Sequence, residues 1–295
     1  MVSRGGLCQS RAMLRALGVI LIALLALAGW CYFNILADPI VRRTTVAVPG
    51  WPAGAAPLRV ALISDVHVQG PDMPPERVAR IVEQVNAQHP DIVLLAGDFV
   101  GDRLLGTRDY SDAEIAEPLG RLSAPLGVYA VLGNHDYTSR GFPRMWEALE
   151  RVGIRVLDNR VRRVGPLTLA GIGDAHSHHA AVPAVVQAVA RMPGPILAFT
   201  HSPDSIPWLP PQFGVVLAGH THCGQIVLPW YGQLASASRY GDRFRCGVIR
   251  EGRRTIVVGA GWGASVVPFR LGAPPDWWLV TIGPAEALAE VRGAR

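Results

Sequence analysis

The chain has 295 residues, a formal net charge of +5 and 49% hydrophobic residues, with 32 Gly and 24 Pro. That apolar content supplies a sizeable core and excludes wholesale disorder. All 28 basic residues are arginine, and the absence of lysine excludes Walker A nucleotide binding, Schiff-base catalysis and Ser/Lys hydrolysis. The positive charge suits phosphates or an anionic membrane surface, but no long block of like charge is present and nucleic-acid binding is not favoured. Cys8, Cys31, Cys223 and Cys246 lie far apart with no CxxC pair, so neither a zinc ribbon nor a disulfide framework is implied.

Residues 16–37 read ALGVILIALLALAGWCYFNILA, without a single charge. As a helix this stretch is about 33 Å long, enough for a hydrocarbon core of ~30 Å. Trp30, Tyr32 and Phe33 cluster at its C-terminal end, where amphipathic rings prefer the headgroup region. The rival is a cleavable signal peptide, with Arg4, Arg11 and Arg15 as n-region and Ala26-Leu27-Ala28 as cleavage site. The apolar run continues through Leu36, too long for an h-region, so the reading is a retained single-pass anchor in the inner (cell) membrane. The arginine balance across it makes residues 1–15 a cytoplasmic stub and puts the catalytic domain on the exported side. Residues 38–57, rich in Pro, Gly, Ala and Thr, read as a linker. Residues 58–285 form one domain, and 286–295 a C-terminal tail.

Within that domain short Val/Ile/Leu-rich runs recur at 58–64, 92–97, 127–133, 167–173, 195–200, 214–219 and 255–259, the pattern of buried strands. Helical patterns at 75–88, 111–122, 142–152 and 182–190 fall between them. The alternation predicts a single α/β domain.

Polar residues follow the strands directly: Asp65 and His67 after the first, Asp98 after the second, then Asn134-His135-Asp136, His201, and the pair His220 and His222. In open α/β sheets the binding crevice lies beyond the carboxyl ends of the strands. A lone Asp there is ordinarily a cap or turn former and a lone His a packed or surface residue. Five such clusters in one chain are not explained by capping. Asp, His and the Asn carbonyl suit Mn, Fe or Zn, and no thiolate cluster competes. Seven ligands for two ions need one bridge, for which a carboxylate is suited.

The ordered set DxH, GD, GNHD, THxPD and GHTHxGQ resembles the calcineurin-like metallophosphoesterase family over about residues 58–282. The resemblance implies a four-layer α/β/β/α sandwich, here preceded by one transmembrane helix, with two divalent metal ions, Mn preferred over Fe or Zn, at one edge of the sheets. It implies Asp65, His67 and His222 on one ion, Asn134, His201 and His220 on the other, and Asp98 bridging. His135 would contact the phosphate and protonate the leaving oxygen, with Asp136 orienting its ring, while a metal-bound hydroxide attacks phosphorus in line. Gly261-Trp262-Gly263, Pro268-Phe269-Arg270 and Pro274-Pro275-Asp276 resemble the end of the membrane-associated bacterial branch, which includes phosphodiesterases and UDP-2,3-diacylglucosamine diphosphatases of lipid A synthesis. The expected substrate is therefore a phosphodiester or pyrophosphate of lipid or UDP-sugar-lipid type, and the expected partner the lipid bilayer. The alternatives are a phosphomonoesterase or nuclease of the same fold, or an inactive scaffold, which would have lost ligands.

Cys223 stands where that branch has Gly and reads as a packing substitution. The residues 101–117 are a candidate cap loop. His176, His178 and His179 read as a solvated loop, Arg160, Arg162 and Arg163 as a solvated face, and Arg239, Arg243 and Arg245 as an open case for substrate contact. For Trp277 and Trp278 a core role for at least one is expected over membrane anchoring.

Overall fold

The structure, a computed structural model, describes residues 4–138 and 143–288. Phe142, at the start of one expected helix, and most of the expected C-terminal tail lie outside the described residues. Helix α1 (Arg4–Leu36) is followed by β1 (Ile40–Ala47), β2 (Leu58–Ile63), the short β3 (Gln69–Gly70), α2 (Pro75–Asn86), β4 (Ile92–Ala96) and the short β5 (Arg108–Asp109). Then come α3 (Asp112–Leu119), β6 (Val128–Val131), the single turn α4 (Asn134–Thr138), α5 (Arg144–Arg151), β7 (Arg155–Val156), β8 (Arg160–Val164) and β9 (Leu167–Ile172). The remainder comprises α6 (Val182–Val189), β10 (Ile196–Thr200), β11 (Val215–Ala218), β12 (Val227–Leu228), β13 (Gly232–Gln233), β14 (Gly247–Glu251), β15 (Arg254–Val258) and β16 (Asp276–Gly283).

Two sheets result, ordered β1-β16-β2-β4-β6-β7 and β14-β15-β11-β10-β9-β8. Their strands alternate faces. Val60 and Leu62 of β2 join Leu169, Leu197, Phe199 and Leu217 of the other sheet in a core between the two. Ala61 and Ile63 instead pack with Val78, Ile81, Ile115, Leu119 and Leu149 of α2, α3 and α5. On the far side Ala170, Ala198 and Val216 pack with Val182, Val185 and Val189 of α6. The strands are apolar on both faces because both are covered, giving the expected α/β/β/α layering. The parallel strands β2, β4, β6 and β9, β10, β11 end at the same edge of the sandwich, and every ligand-type residue follows one of them.

The expected linker is corrected in part. Residues 40–47 form β1, paired in parallel with β16 along all eight residues, and Val46 and Val48 are buried in the inter-sheet core. The β-branched IVRRTTVA run carries the strand propensity, and the Pro/Gly-rich character belongs only to the loop after it. Strand β16 itself carries Trp277 and Trp278, both buried, which settles them as core residues.

Helix α1 is exposed along most of its length but not at its end. Cys31 and Ile35 are buried against the domain. Arg77, itself buried, donates to the carbonyls of Ile35 and Ala37 at 2.8 Å each, satisfying acceptors that a helix C-terminus leaves open. The Arg270 amide donates to the Cys31 carbonyl, and Asn34 Nδ2 donates to the Arg270 carbonyl at 3.2 Å.

Candidate metal centre

The five strand-end clusters meet at one place. His67 Nε2 lies 3.2 Å from His222 Nε2 and 3.5 Å from Asp98 Oδ2, and His222 Nε2 lies 3.4 Å from Asp65 Oδ1. Beside this group, His201 Nε2 lies 3.2 Å from Asp98 Oδ2, 3.2 Å from Asn134 Oδ1 and 3.0 Å from His220 Nδ1. Asp98 is shared by both groups, and its other oxygen accepts the His135 amide at 2.9 Å.

The ring nitrogens facing away from the centre identify what the centre is for. His67 Nδ1 contacts the Val100 carbonyl, His201 Nδ1 the Ala96 carbonyl, and His220 Nε2 the Ala237 carbonyl. A carbonyl only accepts, so each of these nitrogens carries the proton, and in the neutral ring the opposite nitrogen turns a lone pair inward. At His222 the outward Nδ1 instead meets a donor, the Arg270 guanidinium at 3.2 Å. Four imidazoles, two carboxylates and an amide oxygen thus converge, a set that a cation satisfies. The residues present fit two divalent ions on these grounds.

The electrostatics favour the neutral ring at three of the four imidazoles. Burial lowers His67 to about 3 and His220 to about 4, and lowers His222 well below the ordinary range, so all three are held as neutral donors. Burial raises Asp65 to about 6, helped by the nearby Asp98 charge. For His201 burial opposes a proton, but the Asp98 charge and hydrogen bond outweigh it and the ring is raised well above its usual value.

The backbone is bent to reach this arrangement. Asp65, His67, Asp98, His220 and His222 all have positive φ, between 47° and 70°, a left-handed conformation costing of order 1–3 kcal/mol at a non-Gly residue. The motif glycines permit the close approach that follows: a Cβ at Gly219 would sit 2.6 Å from Asp65 Oδ2.

His135 sits at the rim, partly exposed, with Nε2 3.9 Å from the shared Asp98 Oδ2. Its expected partner is corrected. Asp136 is buried, and its carboxylate accepts four backbone amides: Asp98 at 2.9 Å, Phe99 at 2.8 Å, Val100 at 3.1 Å and Gly133 at 2.9 Å. It clamps two motif loops together and does not orient the ring. The ring is instead held by Asp102, whose Oδ1 lies 2.7 Å from His135 Nδ1. Burial opposes a charge on His135, but the Asp102 hydrogen bond and the Asp98 charge raise it to about 9. Asp102 falls within the predicted cap loop, four residues after Asp98, and nothing in its spacing marks it.

The remaining expectations sort as follows. Cys223 forms a disulfide with Cys246, so it is neither packing nor a free thiol. His176 lies tilted against His220, ring centroids 4.8 Å apart, and lines the pocket, whereas His179 stacks on Tyr137. Arg239 pairs with Asp204, Arg243 with Glu251 and Arg245 with Asp242, which engages all three away from the ligands. Arg160 covers the Trp146 ring, and Arg163 donates to the Pro193 carbonyl.

Two stacked sheets carrying a cation-ready set of ligand-type residues at their carboxyl edge define an α/β/β/α protein with a candidate metal centre. The chain belongs to the calcineurin-like phosphoesterase family, whose pattern matches residues 58–224. It is 30% identical over 274 residues to a transmembrane protein with metallophosphoesterase domain from Danio rerio, covering 87% of this chain and 60% of that protein. A Caenorhabditis elegans protein named "putative metallophosphoesterase" is 34% identical over 205 residues, 64% of this chain and 41% of its own. An uncharacterized metallophosphoesterase of Aquifex aeolicus (strain VF5) is 28% identical over 248 residues, 82% of this chain and 91% of its own. The chain thus spans less than two thirds of the length of the first two relatives.

Proposed function

We propose that the protein is a membrane-anchored, dinuclear-metal phosphohydrolase that cleaves a phosphodiester or pyrophosphate bond, with a lipid or UDP-sugar-lipid substrate as in lipid A synthesis. The observation that carries the catalytic part is the convergence of four imidazoles, two carboxylates and an Asn amide oxygen at the sheet edge, three of the rings turning one nitrogen to a backbone carbonyl and the other inward. Asp65, His67 and His222 would hold one ion and Asn134, His201 and His220 the other, with Asp98 shared. Divalent ions there, Mn preferred, supply charge neutralisation of the phosphate and activation of water. His135 stands where a leaving oxygen needs a proton. Its Nε2 side is open to the pocket, and Asp102 at Nδ1 fixes the ring so that Nε2 delivers the proton.

Anchoring rests on α1. Within Ala12–Leu36 the most apolar stretch has a mean hydropathy of 2.3 and is only 6% buried, an apolar surface that water does not tolerate. The Cys223–Cys246 disulfide supports the exported side for the domain, since oxidising compartments preserve such bonds. All ligand-type positions and His135 are intact, which speaks against the inactive scaffold.

The test is hydrolysis of a bis-aryl phosphodiester and an aryl monoester by the full chain in detergent with Mn²⁺. Chelator-sensitive diester cleavage is the expected result. Cleavage that survives complete metal removal overturns the mechanism, and a preference for the monoester overturns the substrate class.

A further inference from the structure

The pocket over the donor set, about 560 Å³, has two unlike walls. One carries Asp98, Asn134, His135, His220 and His222; the other is formed by Ile226, Leu234, Val266 and Val267. Val266 is 64% exposed and has φ +60°, a conformation rare for a β-branched residue. Gln225 holds it there: its Nε2 donates to the carbonyls of Ser265 (2.8 Å) and Val267 (3.1 Å), and its Oε1 accepts the Ser265 amide (2.8 Å). A fixed, strained loop that offers an apolar side chain to solvent calls for an apolar contact.

Next to this wall the β12–β13 hairpin turns through Pro229, Trp230 and Tyr231. The Trp230 side chain is fully exposed and Tyr231 is 76% exposed, with Leu234 just beyond at 54%. The base of the hairpin is joined to the end of α1 by a short chain of hydrogen bonds. The Val227 amide donates to Leu271, the Leu271 amide to Gln225, and the neighbouring Arg270 amide to Cys31 of the helix. Cys31 lies between Trp30 and Phe33, which stack on each other in the exposed aromatic cluster of α1. The fully buried Arg270 side chain also reaches the donor set, with Nη2 3.2 Å from His222 Nδ1. One arginine therefore links the helix backbone to the ligand-type residue His222.

We propose that Trp230, Tyr231, Leu234 and Val266 form a docking surface for the lipid bilayer that holds α1, seating the pocket mouth on the interface so that a phosphate amphiphile enters with its apolar part along the Ile226–Val266 wall. The inference rests on the anchored phosphoesterase reading above and adds the surface and the route of entry. Tryptophan and tyrosine rings favour the headgroup region. The aromatic end of α1 sets that depth beside the hairpin, which makes the occupant the bilayer and not a second protein.

The test uses the full chain in nanodiscs of phosphatidylethanolamine and phosphatidylglycerol, comparing wild type with the double variant Trp230→Ser, Tyr231→Ser, neither of which lines the pocket. The kcat/KM for hexadecyl para-nitrophenyl phosphate is expected to fall roughly tenfold or more, as for lost burial of a large side chain. That for bis-para-nitrophenyl phosphate stays unchanged. In parallel, nanodiscs with brominated acyl chains should quench wild-type fluorescence more than that of Trp230→Phe. Equal quenching of the two, or equal loss on both substrates, overturns the proposal. So does a cross-linked dimer that the double variant abolishes without any change in quenching, which would make the surface an interface between copies. If wild type hydrolyses neither substrate with metal present, the phosphoesterase reading fails by itself, and quenching still decides the docking surface.

Discussion

The replacement Asp136→Asn separates two roles that neighbouring residues could share. One oxygen of the Asp136 carboxylate accepts the amides of Asp98 and Gly133, and the other those of Phe99 and Val100. Asn preserves the volume but turns one acceptor into a donor, so two of the four hydrogen bonds lose their acceptor whichever way the amide turns. At about 1.5–3 kcal/mol for each bond to a charged group, the expected cost is roughly 3–6 kcal/mol. For a chain of this size that lowers Tm by about 10 °C. The released loops carry Asp98 and Asn134, so metal content falls as well. The assay is thermal unfolding by circular dichroism alongside metal analysis, with Asp102→Asn as reference. Asp102 is exposed at the rim, where its carboxylate lies against the His135 ring, so its replacement should leave Tm and metal content near wild type. If Asp136→Asn keeps wild-type stability and metal content and loses only turnover, the clamp is wrong and Asp136 acts through the histidine.

Further outcomes are expected at the rim, at the motif glycine and at the disulfide. His135→Ala should lower kcat by roughly 10²–10⁴ with metal content intact, and Asp102→Asn should lower kcat in the same direction with KM unchanged; steady-state kinetics beside metal analysis checks both. Gly219→Ala places a Cβ 2.6 Å from Asp65 Oδ2 and should strip metal from the protein on gel filtration, since the Asp65 carboxylate must move. Reduction of the Cys223–Cys246 bridge, which closes a 23-residue separation, should cost about 3 kcal/mol in denaturant unfolding, while the Cys223→Ser, Cys246→Ser double variant should not respond to reductant.

The sandwich was legible because β2, β4, β6, β9, β10 and β11 are covered on both faces and so read as unbroken apolar runs. Strand β1 was hidden: its arginine pair and the Pro/Gly-rich loop behind it gave the whole segment the composition of a linker, and its partner β16 lies more than two hundred residues away. The ligand-type residues were legible for a related reason, since each follows a readable strand and that edge is where such strands converge. Asp102 was not, because it reaches His135 through the path of a loop, which carries no periodicity. Asp136 was misread since adjacency in sequence suggested adjacency in space. The tight turn of α4 instead sends its carboxylate inward beneath Asp98 while the His135 ring points to the pocket. Cys223 and Cys246 come together through the return of the chain into β14, which spacing alone does not disclose.

The left-handed backbone at Asp65, His67, Asp98, His220 and His222 has a consequence for stability. At roughly 1–3 kcal/mol per residue, five such positions together rival the whole net stability of an ordinary domain, about 5–15 kcal/mol. The Asp136 clamp and the glycines that allow close approach hold the loops in place, but they do not remove the repulsion among inward lone pairs and two buried carboxylates. A bound cation does. Metal occupancy and folding are therefore linked: a ligand free at about a thousand times its Kd adds ~4 kcal/mol per site. Exhaustive chelation should lower Tm by roughly 10 °C or more, and Mn²⁺ should restore it with a concentration dependence that saturates. The linkage should also be lost in Asp98→Ala, because that variant removes the oxygen common to both groups. A chelated protein that unfolds at the holo temperature would mean that the hydrogen bonds alone hold the strained loops and that the donor set is not built around a metal.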